Sequence, residues 1–575
     1  MNELHLNHAR CLRELAFAGG GAPHALMLGF SLALVGCGGQ SDRAHAAGSE
    51  EGGRGGVSAG GAGGAQEGST GGRGALTGTG GAGAASGAGG SAGQSPSSGG
   101  RAGSGAGGAS AGAPSAGRGG SGGPGGAGGG VGGAGASGNW GGAGKSDGGS
   151  GGSMPLELSQ PTPDRTWQYT SGDPLNATPP VLLAVDDDVV LAGASSDPTT
   201  VGVTAFPSGH TSEAFVMRQS QGKAVWTQPL TGAGLPWAMA RSGDDVVIDA
   251  PYLPDATQVS TSSVGEDVYL GKFGVDGTLR YETTVTFDNE WTATYGMAID
   301  TTGTIFLAGS YLDTSGGEHV IVAKCDADGK KLWEKPFPHP GTQGLAFGLA
   351  VLTSGDIVVT GDFDASLSFG GTTATLMGNA DMPTLPTGFM VRLTPDGDPV
   401  WSAEFGGTDF AIGNALAPLA DGGFLLAGSD ALDLRIGGLS AKGAPFTPSD
   451  TQTFPPTAAF IARLDGDGNA SWVALEQQSE FSYAVVTDGT GTAFLGTSGT
   501  MGADDYLRSY DLASGKPVQV LSGSAASDIQ TTSLALATSG ALWISGIFDM
   551  GADFGNTDVL ESNPAGVFLI EVNPK

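Results

Sequence analysis

Side chains able to do nucleophilic, acid–base or metal-ligating chemistry are thinly spread in this chain. Beyond residue 153 there are three histidines, His210, His319 and His339, and one cysteine, Cys325. The histidines fall in separate segments, with no HExxH and no paired metal-ligand spacing. No GxSxG elbow is present there to expose a serine. Carboxylates are so numerous that no acid–base pair stands apart from the rest, and no catalytic residue is assigned. Asp465-Gly466-Asp467-Gly468-Asn469 and Asp326-Ala327-Asp328-Gly329 have the oxygen spacing of calcium loops. They lack the glutamate at the twelfth position and stand where hairpin turns are due, so turns are expected and no metal site. Cys325 ends the alternating run HVIVAKC and reads as a buried structural thiol. The residues best suited to contact a ligand are Trp237, Trp291, His339, Asp409 and Phe410, all near the starts of apolar runs.

Those runs belong to a phrase repeated seven times after residue 180. In its fullest copy, YGMAIDTTGTIFLAGSY leads into HVIVAKCDADGKKLW, from Tyr295 to Trp333. Each unit reads as strands A, B and C of alternating apolar and small residues, then a Gly turn and a strand D, usually with Trp. Asp-Gly and Ser-Gly pairs at the A–B and C–D connections supply the positive φ of tight hairpins. One such unit cannot bury its own apolar faces, so the units must pack on one another. The seventh lacks a strand D, because the chain stops soon after FLIEV. Its replacement stands at the other end: Arg165-Thr166-Trp167-Gln168-Tyr169 carries the strand-D Trp. A strand borrowed from the N-terminus closes a ring and removes two free edges at once. The expected fold is all-β, a seven-bladed β-propeller closed by an N-terminal strand over 154–575. Its D–A and B–C connections, such as 336–346, 370–387 and 437–457, are long and share one face, which is therefore the face expected to bind.

The phrase resembles the secreted-type β-propeller repeats of bacterial envelope lipoproteins, over about residues 165–575. A second resemblance lies at the N-terminus. The run ALMLGFSLALVG, residues 25–36, follows Arg10 and Arg13 and is too short to span a bilayer, which takes ~20 residues. It fits the apolar core of an export signal, and Leu34-Val35-Gly36-Cys37 resembles a lipobox. The resemblance implies that Cys37 is acylated and becomes the mature N-terminus. The lack of Asp after it implies an outer-membrane or cell-surface position. Residues 1–37 are thus expected to be a lipoprotein signal. Cys11 would be removed with it, and Cys325 would have no disulfide partner. Asp511-Leu512-Ala513-Ser514-Gly515-Lys516 resembles the repeat of quinoprotein propellers but occurs once and without its Trp, so no cofactor is expected.

Residues 38–153 are almost wholly Gly, Ala and Ser and cannot offset their backbone entropy by burial, which predicts a disordered linker. A flexible chain of that length spans roughly 50–60 Å. The chain carries 25 Lys/Arg against 57 Asp/Glu, and all but 8 and 7 of them lie beyond residue 153. A folded part so acidic repels nucleic acid and anionic membrane surfaces, leaving the lipid as the expected membrane contact. The expected protein is a monomeric, non-catalytic binding or scaffold module for a protein or glycan. The alternative is an envelope hydrolase or lyase acting on polysaccharide or peptide through carboxylates at the central channel.

Overall fold

In a computed structural model, the described residues are 180–573 apart from several connections, the longest 196–212, 254–266 and 444–456, together with the backbone of strands at 134–135, 138–139 and 166–169. Six antiparallel sheets of four strands form blades 1 to 6, and four antiparallel strands of a six-stranded sheet form blade 7. Blade 3 shows the pattern: A is Thr292–Ile299, B is Ile305–Leu312, C is Glu318–Cys325 and D is Lys331–Phe337. The inner strands A succeed one another around the axis, and Ile529–Leu536 of blade 7 returns to Val181–Val185 of blade 1. The outermost strand of blade 7 is Thr166–Tyr169, antiparallel to Ala565–Val572 with Trp167 opposite Leu569. The strand expected to close the ring therefore does so. A further join comes from Leu182 N–H donating to Ser533 Oγ and Ser545 Oγ–H donating to the Pro180 carbonyl.

Within the Gly-rich segment the backbone of two short strands is described. Ala134–Gly135 and Gly138–Asn139 pair as a short hairpin, and the second strand runs parallel to the inner strand of blade 7. The rest of 38–153, like Cys11, Cys37 and His210, lies outside the described residues.

The repeated residues form joints between blades. On the tight-turn face, Arg218 Nη1 and Trp226 Nε1 of blade 1 both donate to the Val275 carbonyl in the C–D turn of blade 2, at 2.8 and 2.9 Å. Arg392 and Trp401 of blade 4 share the Gly466 carbonyl of blade 5, and Arg463 and Trp472 of blade 5 share the Leu512 carbonyl of blade 6. Lys272 and Lys324 reach the equivalent turns of blades 3 and 4. Arg218, Lys272, Arg392 and Arg463 also pair with carboxylates at or beside the A–B turns, as in Arg392–Asp356 at 2.6 Å. Hydrogen bonds to charged donors are worth roughly twice neutral ones. The basic end of strand C, the Trp of strand D and the Gly turn are thus three parts of one device. Gly468, at φ 81°, completes it: a Cβ there would lie 3.0 Å from the Trp401 ring.

The Gly ending strand B has a different cause. Strand A carries a β-bulge in blades 3, 4, 5 and 7. Opposite each bulge stands Gly309, Gly361, Gly428 or Gly546, and a Cβ on Gly361 would sit 1.9 Å from the Leu345 carbonyl oxygen. Glycine in a strand interior marks such a close backbone approach. Gly361→Ala is expected to cost about 3 kcal/mol, at the upper end for overpacking, as a lowered denaturant midpoint. Apolar clusters fill much of the space between blades. Phe306, Val320 and Val322 of blade 3 pack on Leu349, Val359 and Phe389 of blade 4.

Candidate functional site

Each bulge leaves one residue of strand A unpaired on the innermost strand. These residues are Tyr295, Phe347, Asn414 and Thr532. Val181, Trp237 and Tyr483 hold the corresponding place in blades 1, 2 and 6, each three residues before the strand's central small or apolar residue. The rings meet around the axis: Trp237 lies edge-on to Tyr295 at 5.3 Å, and Tyr295 lies 5.6 Å from Phe347. Trp237, Tyr295, Phe347 and Tyr483 stay partly exposed. A bulge re-aims a side chain that regular pleating would direct into the sheet stack. The result is an aromatic arc on the inner strands, continued by an amide and a hydroxyl.

Behind the arc are buried carboxylates. Asp249 on strand B of blade 2 is fully buried, and its Oδ1 accepts from Thr294 Oγ1 at 2.8 Å. Burial outweighs that bond and lifts its carboxyl to about 8. Burial likewise pushes Glu318 up to about 7. Asp362 is driven well up by burial, with Glu318 and Asp364 adding repulsion against the bond from Gln343 Nε2. Asp249 Oδ2, Asp362 Oδ1 and Trp237 Nε1 make no hydrogen bond among the described residues.

A second cluster stands at the junction of blades 3 and 4. His319 and His339 face each other with Nδ1 atoms 2.8 Å apart. His319 Nε2 meets Asp313 at 3.0 Å, and His339 Nε2 meets the Gln343 carbonyl at 2.7 Å and Asp364 at 3.2 Å. Hydrogen bonds from Ser315 and His319 hold Asp313 well below the usual carboxylate range. Burial would raise Asp364, but bonds from His339, Thr342 and Gln343 prevail and set it at about 2.

The five residues expected on the binding face part company here. Trp237 belongs to the aromatic arc. Trp291 is 48% exposed and holds a left-handed φ of 55°, unusual for a bulky residue. Its carbonyl accepts from Leu312 N–H, which fixes that backbone. His339 is buried in the histidine pair. Phe410 is buried against Ala431 and Phe481. Asp409 lies outside the described residues. Tyr295 and Phe347 were not among the five, although an aromatic before Gly-x-Ala in each strand A marks the bulge.

Two of the long B–C connections contain hairpins within their described residues. In blade 4 Ser366–Leu367 pairs with Leu376–Met377, and in blade 5 Asp433–Ile436 pairs with Leu439–Lys442. Leu367, Phe369 and Leu376 join the interblade core, as do Leu434 and Ile436. Met377 N–H donates to Glu404 on strand D, so this hairpin covers an outer edge rather than the channel mouth. The calcium-like loops are turns whose carboxylates are occupied by their own backbone: Asp465 Oδ1 accepts from Asp467 and Asn469 N–H, and Asp326 Oδ1 from Asp328 and Lys330 N–H. Cys325 is buried, and desolvation pushes its thiol up to about 12.

No family model matches the chain, and no curated protein matches it. Among solved structures it is similar to puromycin hydrolase, at 12% identity and TM-score 0.33 over 68% of this chain and 62% of that one. It is similar to a gluconolactonase of Xanthomonas campestris, at 15% identity and TM-score 0.29 over 68% and 98%. A third is the lignostilbene dioxygenase of Pseudomonas brassicacearum, at 12% identity and TM-score 0.33 over 72% and 91%. The chain spans less than two thirds of the hydrolase, and identities this low carry nothing about substrate or activity.

Proposed function

We propose that this protein is a non-catalytic binding module of the cell envelope, held by a lipid on Cys37 and presenting a neutral or amino-sugar glycan site at the mouth of its ring. The observation that carries this reading is the inner-strand series Trp237, Tyr295, Phe347, Asn414, Tyr483 and Thr532, one residue from each of blades 2 to 7. Partly exposed rings offer flat apolar area for sugar faces, with the half-buried Thr532 hydroxyl beside them, while Asn414 is buried and donates to the Ser482 carbonyl. The opposite face has its cations, indoles and turn carbonyls committed to the joints between blades. The acidity of the folded part disfavours anionic polymers. Trp291 adds an exposed ring on a constrained backbone, a common property of ligand clamps. The raised carboxylates, on which an acid–base enzyme would depend, lie behind the arc with their side chains buried.

The test is titration of the full chain with cello-, chito- and xylo-oligosaccharides by calorimetry. Saturable binding is expected with at least one series, weakened at least tenfold by Trp237→Ala and several-fold by Trp291→Ala. Binding indifferent to both substitutions would place the site elsewhere. Mass spectrometry of the mature N-terminus tests the anchor, with a diacylglyceryl Cys37 expected and an unmodified one refuting it.

A further inference from the structure

The histidine pair has a proton requirement that its hydrogen bonds determine. A carbonyl oxygen accepts only, so His339 Nε2, 2.7 Å from the Gln343 carbonyl, carries a hydrogen. Asp313 is held ionised, so His319 Nε2 also carries one. The Nδ1–Nδ1 contact of 2.8 Å needs a third. Two neutral imidazoles hold only two ring hydrogens between them, so the complete network contains one extra proton. Its place follows from the backbone. The His339 N–H points at His319 Nδ1 at 3.4 Å, which leaves that nitrogen as the acceptor and puts the proton on His339 Nδ1.

We propose that His319 and His339 form a one-proton latch that fastens the connection between blades 3 and 4 to strand C of blade 3. The connection runs from Phe337 to Gly344 and contains His339, Thr342 and Gln343. His339 is thereby held in the corner where Asp364 accepts from Thr342 N–H, Thr342 Oγ1 and Gln343 N–H. Removing the shared proton leaves two lone pairs facing each other at hydrogen-bond distance. The rings can restore that bond only by giving up the one to Asp313 or the one to Gln343. Adding a fourth proton sets two N–H groups head to head. The latch is therefore complete at one protonation state and strained on either side of it.

The groups facing the pair are consistent with a resident positive charge. Asp313 meets His319 from the B–C turn of blade 3, and Asp364 meets His339 from the end of strand B in blade 4. Glu318 precedes His319 on strand C, and Asp362 binds the Gln343 side chain. The Tyr311 ring lies 5.2 Å from His319, and no lysine or arginine forms an ion pair with this cluster among the described residues. The inference is independent of whether the nearby aromatic arc binds a glycan.

Imidazole nitrogen NMR on the full chain labelled with 15N-histidine tests it directly. With the network of hydrogen bonds complete, one histidine is expected to show both nitrogens protonated and a neighbour to be the Nε2–H tautomer, with His319→Gln and His339→Gln assigning the two. As pH rises through loss of the shared proton, opening of the Thr342 and Gln343 amides should increase tenfold per pH unit, beyond the ordinary base-catalysed rise in exchange. Both His variants should abolish that extra slope. If the variants fail to fold, the tautomer pattern and the amide slope of the unsubstituted chain still decide. The latch is overturned if both rings are singly protonated throughout pH 5–8, or if the extra slope is absent or survives in either variant.

Discussion

A chain beginning at residue 154 should fold to a stable ring, and one beginning at residue 173 should be weaker by on the order of 4 kcal/mol. The two differ by the closing strand, whose four residues Thr166–Tyr169 pair with Val567–Ile570. At about 1 kcal/mol net per backbone hydrogen bond, four paired residues set that scale before any side-chain burial is counted. Chemical denaturation of both truncations measures it. The shorter chain should recover most of the difference when a peptide of residues 160–172 is supplied at high concentration, because the ligand binds only the folded ring. Equal stability would mean that blade 7 holds with three strands.

The folded protein should lose stability as pH rises from 5 to 8, and Asp249→Asn should remove much of that loss. In the unfolded chain Asp249 gives up its proton near 3.8, whereas the folded chain holds it to about 8. Between those values the unfolded state binds fewer protons, so each pH unit costs the fold about 1.4 kcal/mol. Below 3.8 the two states bind alike, and above 8 the penalty stops growing. Over pH 5–8 the scale is on the order of 4 kcal/mol for this group, with Glu318 adding in the same direction up to about 7. Self-repulsion of the acidic surface acts the same way, so the informative quantity is the difference between the unsubstituted chain and the variant. Asparagine keeps an acceptor for Thr294 Oγ1 and has nothing to ionise. Parallel pH profiles would mean that Asp249 is charged in the fold.

The blades and the closing strand were legible because each is written locally, in turn glycines, alternation and the strand-D Trp. Trp167 was recognisable by matching an orphan at each end of the chain. The aromatic arc was legible only in part. Trp237 stands out as a tryptophan, but Tyr295 and Phe347 acquire their role from a slip in register against strand B, which exists only once the strands pair. The histidine pair was hidden for a similar reason: His319 and His339 are 20 positions apart, and no spacing motif joins a strand residue to a connection folded back on it. The hairpin inside the B–C connection of blade 5 is written locally as well. Asp433–Ile436, Gly437-Gly438 and Leu439–Lys442 have the alternation and the double-glycine turn of a hairpin.

The Arg and Trp joints described for blades 1, 4 and 5 point the same way. In each, the Arg and Trp reach a carbonyl on the next blade in the chain. A blade emerging from a ribosome therefore arrives with these donors unmatched, and the acceptor is delivered by the blade behind it. Each of these joints is thus completed by the blade that follows. Blade 7 differs, because its outermost strand, Thr166–Tyr169, precedes blade 1 in the chain, so the ring is closed only when Ala565–Val572, the last strand of the chain to be made, meets it.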